Sequence, residues 1–304
     1  VGVGGDDMIS TGSGADIAIG GAGRDTVMLD LDPSEIEITT MNAFDISLYN
    51  RLLAAGDAAF DADAPAYVIT DLETGAQTRV QADVIAFGDR AFTVEDGVLT
   101  LSASNDEIDF GSRADKVAGG AGDDVLDGGA GDDMIAGGAG NDTLLGGAGD
   151  DQLYDDAGED NLAGGSGADV IAAGHQAGET VVMFGGSGAD VFGLSAGDDE
   201  GIDVEGIIAD FSTIEGDMID LSGLRGADGA LLTIEDVLGR AQTVDGNAVI
   251  DLDGLTGAGG GAVTGHLTLA GIDAGNLGAG DFVFDAAPAW RDDLDDALGT
   301  PAAA

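Results

Sequence analysis

An aspartate stands at every ninth residue across the middle of the chain: Asp124, Asp133, Asp142, Asp151, Asp160 and Asp169. Each occupies the sixth place of a nine-residue unit, and the units read GGAGDDVLD (119–127), GGAGDDMIA (128–136), GGAGNDTLL (137–145), GGAGDDQLY (146–154), DDAGEDNLA (155–163) and GGSGADVIA (164–172). The fourth place is always Gly, and the eighth is always aliphatic: Leu126, Ile135, Leu144, Leu153, Leu162 and Ile171. Carboxylates this dense repel one another. Glycine this dense opposes folding, because glycine loses more backbone freedom than any other residue. Something outside the chain must make the pattern favourable. The composition says what: Lys and Arg number 9 against 59 Asp and Glu, a formal net charge of -50. Such a charge disfavours the compact state by self-repulsion, and its natural counterpart is a cation.

The register extends beyond these six units. Upstream, 110–118 keeps Asp115 and Val117, and 101–109 keeps Asp106 and Ile108. After a 12-residue interruption, GGSGADVFG (185–193) restores the pattern with Asp190 and Phe192. A shorter array opens the chain at 2–10, 11–19 and 20–28, supplying Asp7, Asp16 and Asp25. A flexible low-complexity linker would not keep an apolar eighth residue through twelve units, with Ala18 the one small exception. Acidic disorder is opposed by 44% hydrophobic content placed periodically, and a halophilic solvated surface by the clustering of acids at repeat positions.

The unit G-G-x-G-x-D-x-U-x resembles the nonapeptide of RTX proteins. That resemblance implies an all-β fold, a right-handed parallel β-roll that binds Ca²⁺, with the first six residues of each unit a turn and the last three a short strand. The residue types agree on physical grounds. Glycines at the first, second and fourth places permit positive φ and turn carbonyls inward. Ca²⁺ takes six to eight oxygens from carboxylates and carbonyls. One Asp per turn is too few, but stacked turns pool two carboxylates and several carbonyls around each of several ions. The expected ligands are therefore Asp7, Asp16, Asp25, Asp106, Asp115, Asp124, Asp133, Asp142, Asp151, Asp160, Asp169 and Asp190, with backbone oxygens at Gly120, Gly122, Gly129, Gly131, Gly138, Gly140, Gly147 and Gly149. The eighth residue points into the roll, and no unit buries enough to fold alone.

The rest of the chain must position or close these arrays. The spacing divides it into a short array (1–28), a β-rich insertion (29–100), the main roll (101–193), a C-terminal cap (194–285) and a tail (286–304). Within the insertion, EIEITTM, AYVITDL, TRVQADVIAF and AFTVEDGVLTL alternate apolar and polar residues as strands do, and SLYNRLLAAGDAAF predicts one short helix. Its Arg51, Arg79 and Arg90 read as surface pairs rather than ligands. Segment 173–184 reads as a loop bulging from the roll, with His175 a polar surface residue on it rather than a metal ligand. Three stretches of the cap, DVFGLSAGDD, GIIADFSTIEGDMIDLSGL and HLTLAGIDAGNLGAGDFVF, resemble the segment that follows the roll in serralysin-type and other type I-secreted proteins. The resemblance implies an uncleaved secretion signal in the C-terminal tail. GALLTIEDVLGRAQ (229–242) predicts an amphipathic helix.

Several function classes are disfavoured. Basic patches for nucleic acid or anionic membrane are lacking, and no run of about 18 apolar residues exists for insertion into a membrane. Without Cys there is no thiolate site or disulfide, and no Sec-type signal peptide opens the chain. The zincin H-E-x-x-H and a phosphate-binding G-x-x-x-x-G-K-[ST] are absent, and the two histidines, His175 and His266, leave little for a triad. A glycosidase carboxylate pair is opposed by the scarcity of aromatics. The expectation is a non-enzymatic, secreted calcium protein that folds outside the cell after export by type I machinery. Its role would be structural and self-assembling, as in a matrix, surface layer, fibre or adhesin. An export and folding module of a longer enzyme or toxin is the alternative. A small hydrolase acting through 29–100 ranks last.

Overall fold

The computed structural model describes residues 6–11, 16–20, 24–29, 36–41, 66–71, 77–81, 84–87, 90–95, 98–174, 179–194, 202–257 and 260–284. The expected helix over 47–60, His175 and the tail 286–304 lie outside these residues.

Successive units place their strands alternately in two sheets. The aliphatic eighth residue of each faces the other sheet, because side chains alternate along a strand. One row runs Leu99, Val117, Ile135, Leu153, Ile171, Phe192, Ile219 and Phe282. The other runs Ile108, Leu126, Leu144, Leu162, Met183, Ile208 and Leu269. Both rows belong to one continuous core. Leu126, Ile135, Leu144, Leu153, Leu162 and Ile171 are each 0% exposed, and so is Ala18, the small exception in the pattern.

Pairing within the arrays is parallel, as expected of a β-roll, but the strands are longer than the last three residues of a unit. Lys116–Ala121, Met134–Ala139, Thr143–Ala148 and Asn161–Ser166 each run on into the first three residues of the next unit. The register skips the first glycine and resumes at the second, as in Gly120↔Gly138. Positive φ at the second glycine, 101° at Gly120 and 109° at Gly138, lets the chain curve without giving up the ladder.

The insertion joins the same two sheets. TRVQADVIAF, which reads as one strand, is two: Gln77–Gln81 pairs with Ile17–Ile19, while Val84–Phe87 pairs with Thr26–Leu29 in the other sheet. Arg90–Glu95 and Val98–Thr100 form a hairpin that hands the first sheet on to Lys116–Ala121. Ile36–Thr40 and Tyr67–Asp71 hand the second on to Glu107–Asp109. Among the described residues the sheets contain 12 and 15 strands, and both arrays lie in this one two-sheeted body.

The sheets also continue into the C-terminal region. Ile202–Ile208 stacks in parallel on Thr180–Ser187, and Ala262–Leu269 stacks on Ile202–Ile208. Asn247–Asp251 then runs antiparallel and closes with Ala241–Val244 through Asp245–Gly246, both at positive φ. The amphipathic pattern over 229–242 yields only a short helix, Ile234–Leu238. Thr233 and Asp236 cap its start reciprocally. Sheet pairing takes Ala241–Val244 instead, because a hairpin across an Asp-Gly turn satisfies more backbone than one further helical turn.

Candidate metal centre

The sixth-place aspartates form two rows, one along each side of the roll. The backbone N–H of Asp106 donates to Asp124 Oδ1 at 2.7 Å, that of Asp124 to Asp142 Oδ1 at 2.7 Å, and that of Asp142 to Asp160 Oδ1 at 3.0 Å. On the other side Asp115, Asp133, Asp151, Asp169 and Asp190 are joined in the same way at 2.8 to 2.9 Å. The pattern is a consequence of stacking. Two units make one full circuit, so each Asp meets the one 18 residues on, whose side chain reaches back to accept from its amide.

The fifth-place residues, outside these rows, form ladders of the opposite sense. The N–H of Asp123 donates to Asn105 Oδ1, that of Asn141 to Asp123 Oδ1, and that of Glu159 to Asn141 Oδ1. The turn is thus held from both sides, and from Asp124 to Asp190 each sixth-place carboxylate is fixed by one oxygen only.

The second oxygen defines the site. Oδ2 of Asp124, Asp133, Asp142, Asp151, Asp160, Asp169 and Asp190 is buried and accepts no hydrogen bond. A buried carboxylate left half-satisfied is strongly unfavourable when charged. Burial accordingly pushes the carboxyls of Asp124, Asp133 and Asp169 up to about 7. The amide bond opposes this rise, and neighbouring carboxylates in the row add to it. Asp142, Asp151 and Asp190 are raised for the same first reason.

First-place glycines keep the space beside these oxygens open. A Cβ on Gly119, Gly128 or Gly146 would lie 2.5 Å from Oδ2 of Asp124, Asp133 or Asp151. The same Cβ would lie 2.6 to 2.8 Å from the carbonyl oxygens of Gly137, Gly146 or Gly164. The nearest donors to each such position are a carboxylate oxygen and a carbonyl oxygen. That set suits a hard cation such as Ca²⁺ and fits no soft metal. A bound cation would neutralise the rows and give Oδ2 a partner.

The expected backbone ligands have a more mixed role. Gly120, Gly122, Gly129, Gly131, Gly138, Gly140, Gly147 and Gly149 all have positive φ, between 84° and 141°. The carbonyls of Gly129 and Gly138 accept ladder bonds from Ala148 and Ala157, which leaves each one further lone pair. At the fourth place the decisive constraint is stacking, since a Cβ on Gly140 or Gly149 would collide with the carbonyl of Gly122 or Gly131.

The opening array is less complete. Asp7 N–H donates to Asp25 Oδ1 at 2.9 Å, Asp25 is buried, and Asp7 is half-buried. Asp16 is also half-buried, but it faces the insertion: its carbonyl accepts from Arg79 N–H at 3.0 Å. With Ile17 opposite Arg79, Thr78 follows Asp16 in the stack. The register therefore leaves Asp16 outside the aspartate rows.

Three carboxylates that the repeat spacing did not select join the site. Asp217 extends the second row, accepting from Asp190 N–H at 3.1 Å and Ser212 N–H at 2.8 Å. Its signal was the D-x-I pair of GDMID, a sixth and eighth place without the glycines. Asp210 accepts from the amides of Gly185 and Gly186, both at 2.9 Å. Asp155 stands at a first place where Gly119, Gly128, Gly137, Gly146 and Gly164 hold the others. Its carboxyl is held well above the usual range by burial and by Asp160 and Asp142 beside it.

With this geometry the comparison with known proteins is specific. Residues 1–32, 109–144, 136–171 and 181–200 match the RTX calcium-binding nonapeptide repeat in four copies. The chain carries RTX calcium-binding repeats. These RTX segments contain Asp7, Asp16, Asp25, Asp115 and the sixth-place aspartates from Asp124 to Asp190, while Asp106 and Asp217 lie outside them. No curated protein matches the chain. Among the described residues no helix is long and apolar enough to cross a membrane.

Proposed function

We propose that this protein folds on binding several calcium ions outside the cell and then serves a structural, self-assembling role in a matrix, surface layer, fibre or adhesive contact. One observation carries the calcium link: seven buried aspartates hold one oxygen on a backbone amide and leave the other without a donor. A ligand that binds only the folded state drives folding by mass action. Extracellular calcium modules work at dissociation constants of roughly 10⁻⁴ to 10⁻³ M. In a calcium-poor cytosol the chain of charge -50 stays extended and fit for an export channel, and outside it folds. Export by type I machinery is supported by the resemblance of 190–199, 206–224 and 266–284 to the segment after the roll in type I-secreted proteins. A non-catalytic role is supported by the assignment of the buried carboxylates to ion binding. Self-assembly is supported by exposed apolar side chains on strands, such as Phe184 and Val125, and by acidic surfaces that calcium can bridge.

Far-UV circular dichroism with light scattering, followed from chelator to about 10 mM Ca²⁺, tests both halves over the range set by extracellular affinities. A cooperative gain of β signal is expected, with scattering rising after it. A β spectrum already complete in chelator would overturn the calcium link. A strictly monomeric calcium-loaded protein at high concentration would overturn the assembling role.

A further inference from the structure

One turn of the roll is chemically different from its neighbours. Among the described residues, only Asp142, Asp155 and Asp160 bring three carboxylate oxygens within 4.8 Å of one another. The side chains are 1%, 0% and 1% exposed. Asp155 Oδ1 accepts from Gly138 N–H at 2.9 Å and from Asp156 N–H at 2.8 Å, so its orientation is fixed by two amides. Its Oδ2 is buried without a donor, as are Oδ2 of Asp142 and of Asp160. Three carboxylates, each with an Oδ2 that accepts no hydrogen bond, therefore converge where the other turns bring two aspartates of a row.

The position of this turn explains the third carboxylate. The first row of aspartates ends at Asp160. In the next circuit Val182 stacks on Asn161, so Val181 takes the place an aspartate would fill, and it is 0% exposed. The interruption at 173–184 thus removes the carboxylate that would continue the row. Asp155 adds one from the other end of the same turn, at a place where a glycine otherwise stands.

We propose that Asp142, Asp155 and Asp160 together hold a calcium ion in a site distinct in composition from the paired-aspartate sites along the rows, and that this site fills first. The proposal rests on the reading of the rows as calcium sites. More ligand charge on a rigid frame tightens a calcium site, and both conditions are met here. The first ion would pin the 137–142 and 155–160 turns together, giving the remaining turns a formed surface on which to stack.

The test is isothermal titration of the chelator-stripped full chain with CaCl₂ alone, for the parent, Asp155→Asn, Asp155→Gly and Asp124→Asn. Asp155→Asn keeps the shape and removes the charge, and Asp155→Gly restores the repeat residue. The first ion is expected to weaken roughly tenfold or more in both Asp155 variants, as ligand charge dictates, with later ions unchanged. Asp124→Asn should weaken a later ion and leave the first intact. Both Asp155 variants should regain the parent β spectrum at saturating calcium. A parent-like first ion in both Asp155 variants overturns the proposal and leaves the calcium reading of the rows standing. Loss of the β spectrum in both at saturating calcium also overturns it, since Asp155 would then hold the turn itself. A parent that takes up no calcium defeats the underlying reading instead.

Discussion

The amide of Asp190 donates to the carboxylate of Asp217, 27 residues on, in the manner in which the amide of Asp169 donates to Asp190 across 21. The aspartate row thus crosses from the last glycine-rich unit into a region without the repeat's glycines. Asp217 also accepts from Ser212 N–H, and burial raises its carboxyl. Asp217→Ala leaves two backbone amides without their acceptor, at a cost of about 1–3 kcal/mol for each that stays buried. The calcium midpoint for folding should rise. Hydrogen exchange should quicken first in Val191–Leu194 and Met218–Asp220, which that turn joins. A midpoint equal to the parent's would show that the row ends at Asp190.

The metal-free protein should be more stable in acid. Asp124, Asp133 and Asp169 ionise near 7 in the folded roll against 3.8 ordinarily. Below 3.8 both folded and unfolded chains are protonated, and the buried rows carry no charge penalty. As pH rises above that value the unfolded chain ionises freely and the folded one does not, so stability falls, and the loss is complete once pH passes about 7. Chelated protein taken from pH 8 to pH 4 should therefore gain β signal. In saturating calcium the ionised form is the one bound, protons compete with the ion, and stability should fall over the same window. Circular dichroism against pH, with and without chelator, checks both signs.

Glycine at the fourth place is required by packing as well as by φ. At Gly149 φ is 140° and a Cβ would run into the carbonyl of Gly131. At Gly229 φ is 78° and nothing lies within 4 Å. Gly229→Ala should cost only the strain of a left-handed residue, about 1–2 kcal/mol. Gly149→Ala must also push two turns apart and should cost clearly more. Thermal melts of the two variants at one calcium concentration decide this, and equal losses would mean that the turns separate freely.

The core and the ions act on one equilibrium. Leu144 lies fully buried between Leu126 and Leu162 in its row. Leu144→Ala should cost about 2–5 kcal/mol. If calcium binds only the folded state, as proposed, that loss should appear as a higher calcium concentration for folding, although Leu144 lies in the core and not among the aspartates. An unshifted midpoint would separate core packing from ion binding.

Much of this protein was legible from spacing alone. A nine-residue period with one aspartate and one aliphatic residue fixes which side chains face the core and which stack in rows, because both follow from counting residues around a turn. Asp124 to Asp169 and Leu126 to Ile171 are placed by that count. Tertiary structure decided what no period encodes. Asp16 carries the motif, yet its neighbour in the stack comes from an insertion strand, so it stands outside the rows. Asp217 lacks the glycines, yet strand register places it in a row. Asp155 breaks the consensus, and only the fold shows it converging with Asp142 and Asp160. The helical pattern of 229–242 lost Ala241–Val244 to a hairpin for a related reason. Local residue type sets what a segment can do, and the partner brought beside it from tens of residues away sets what it does.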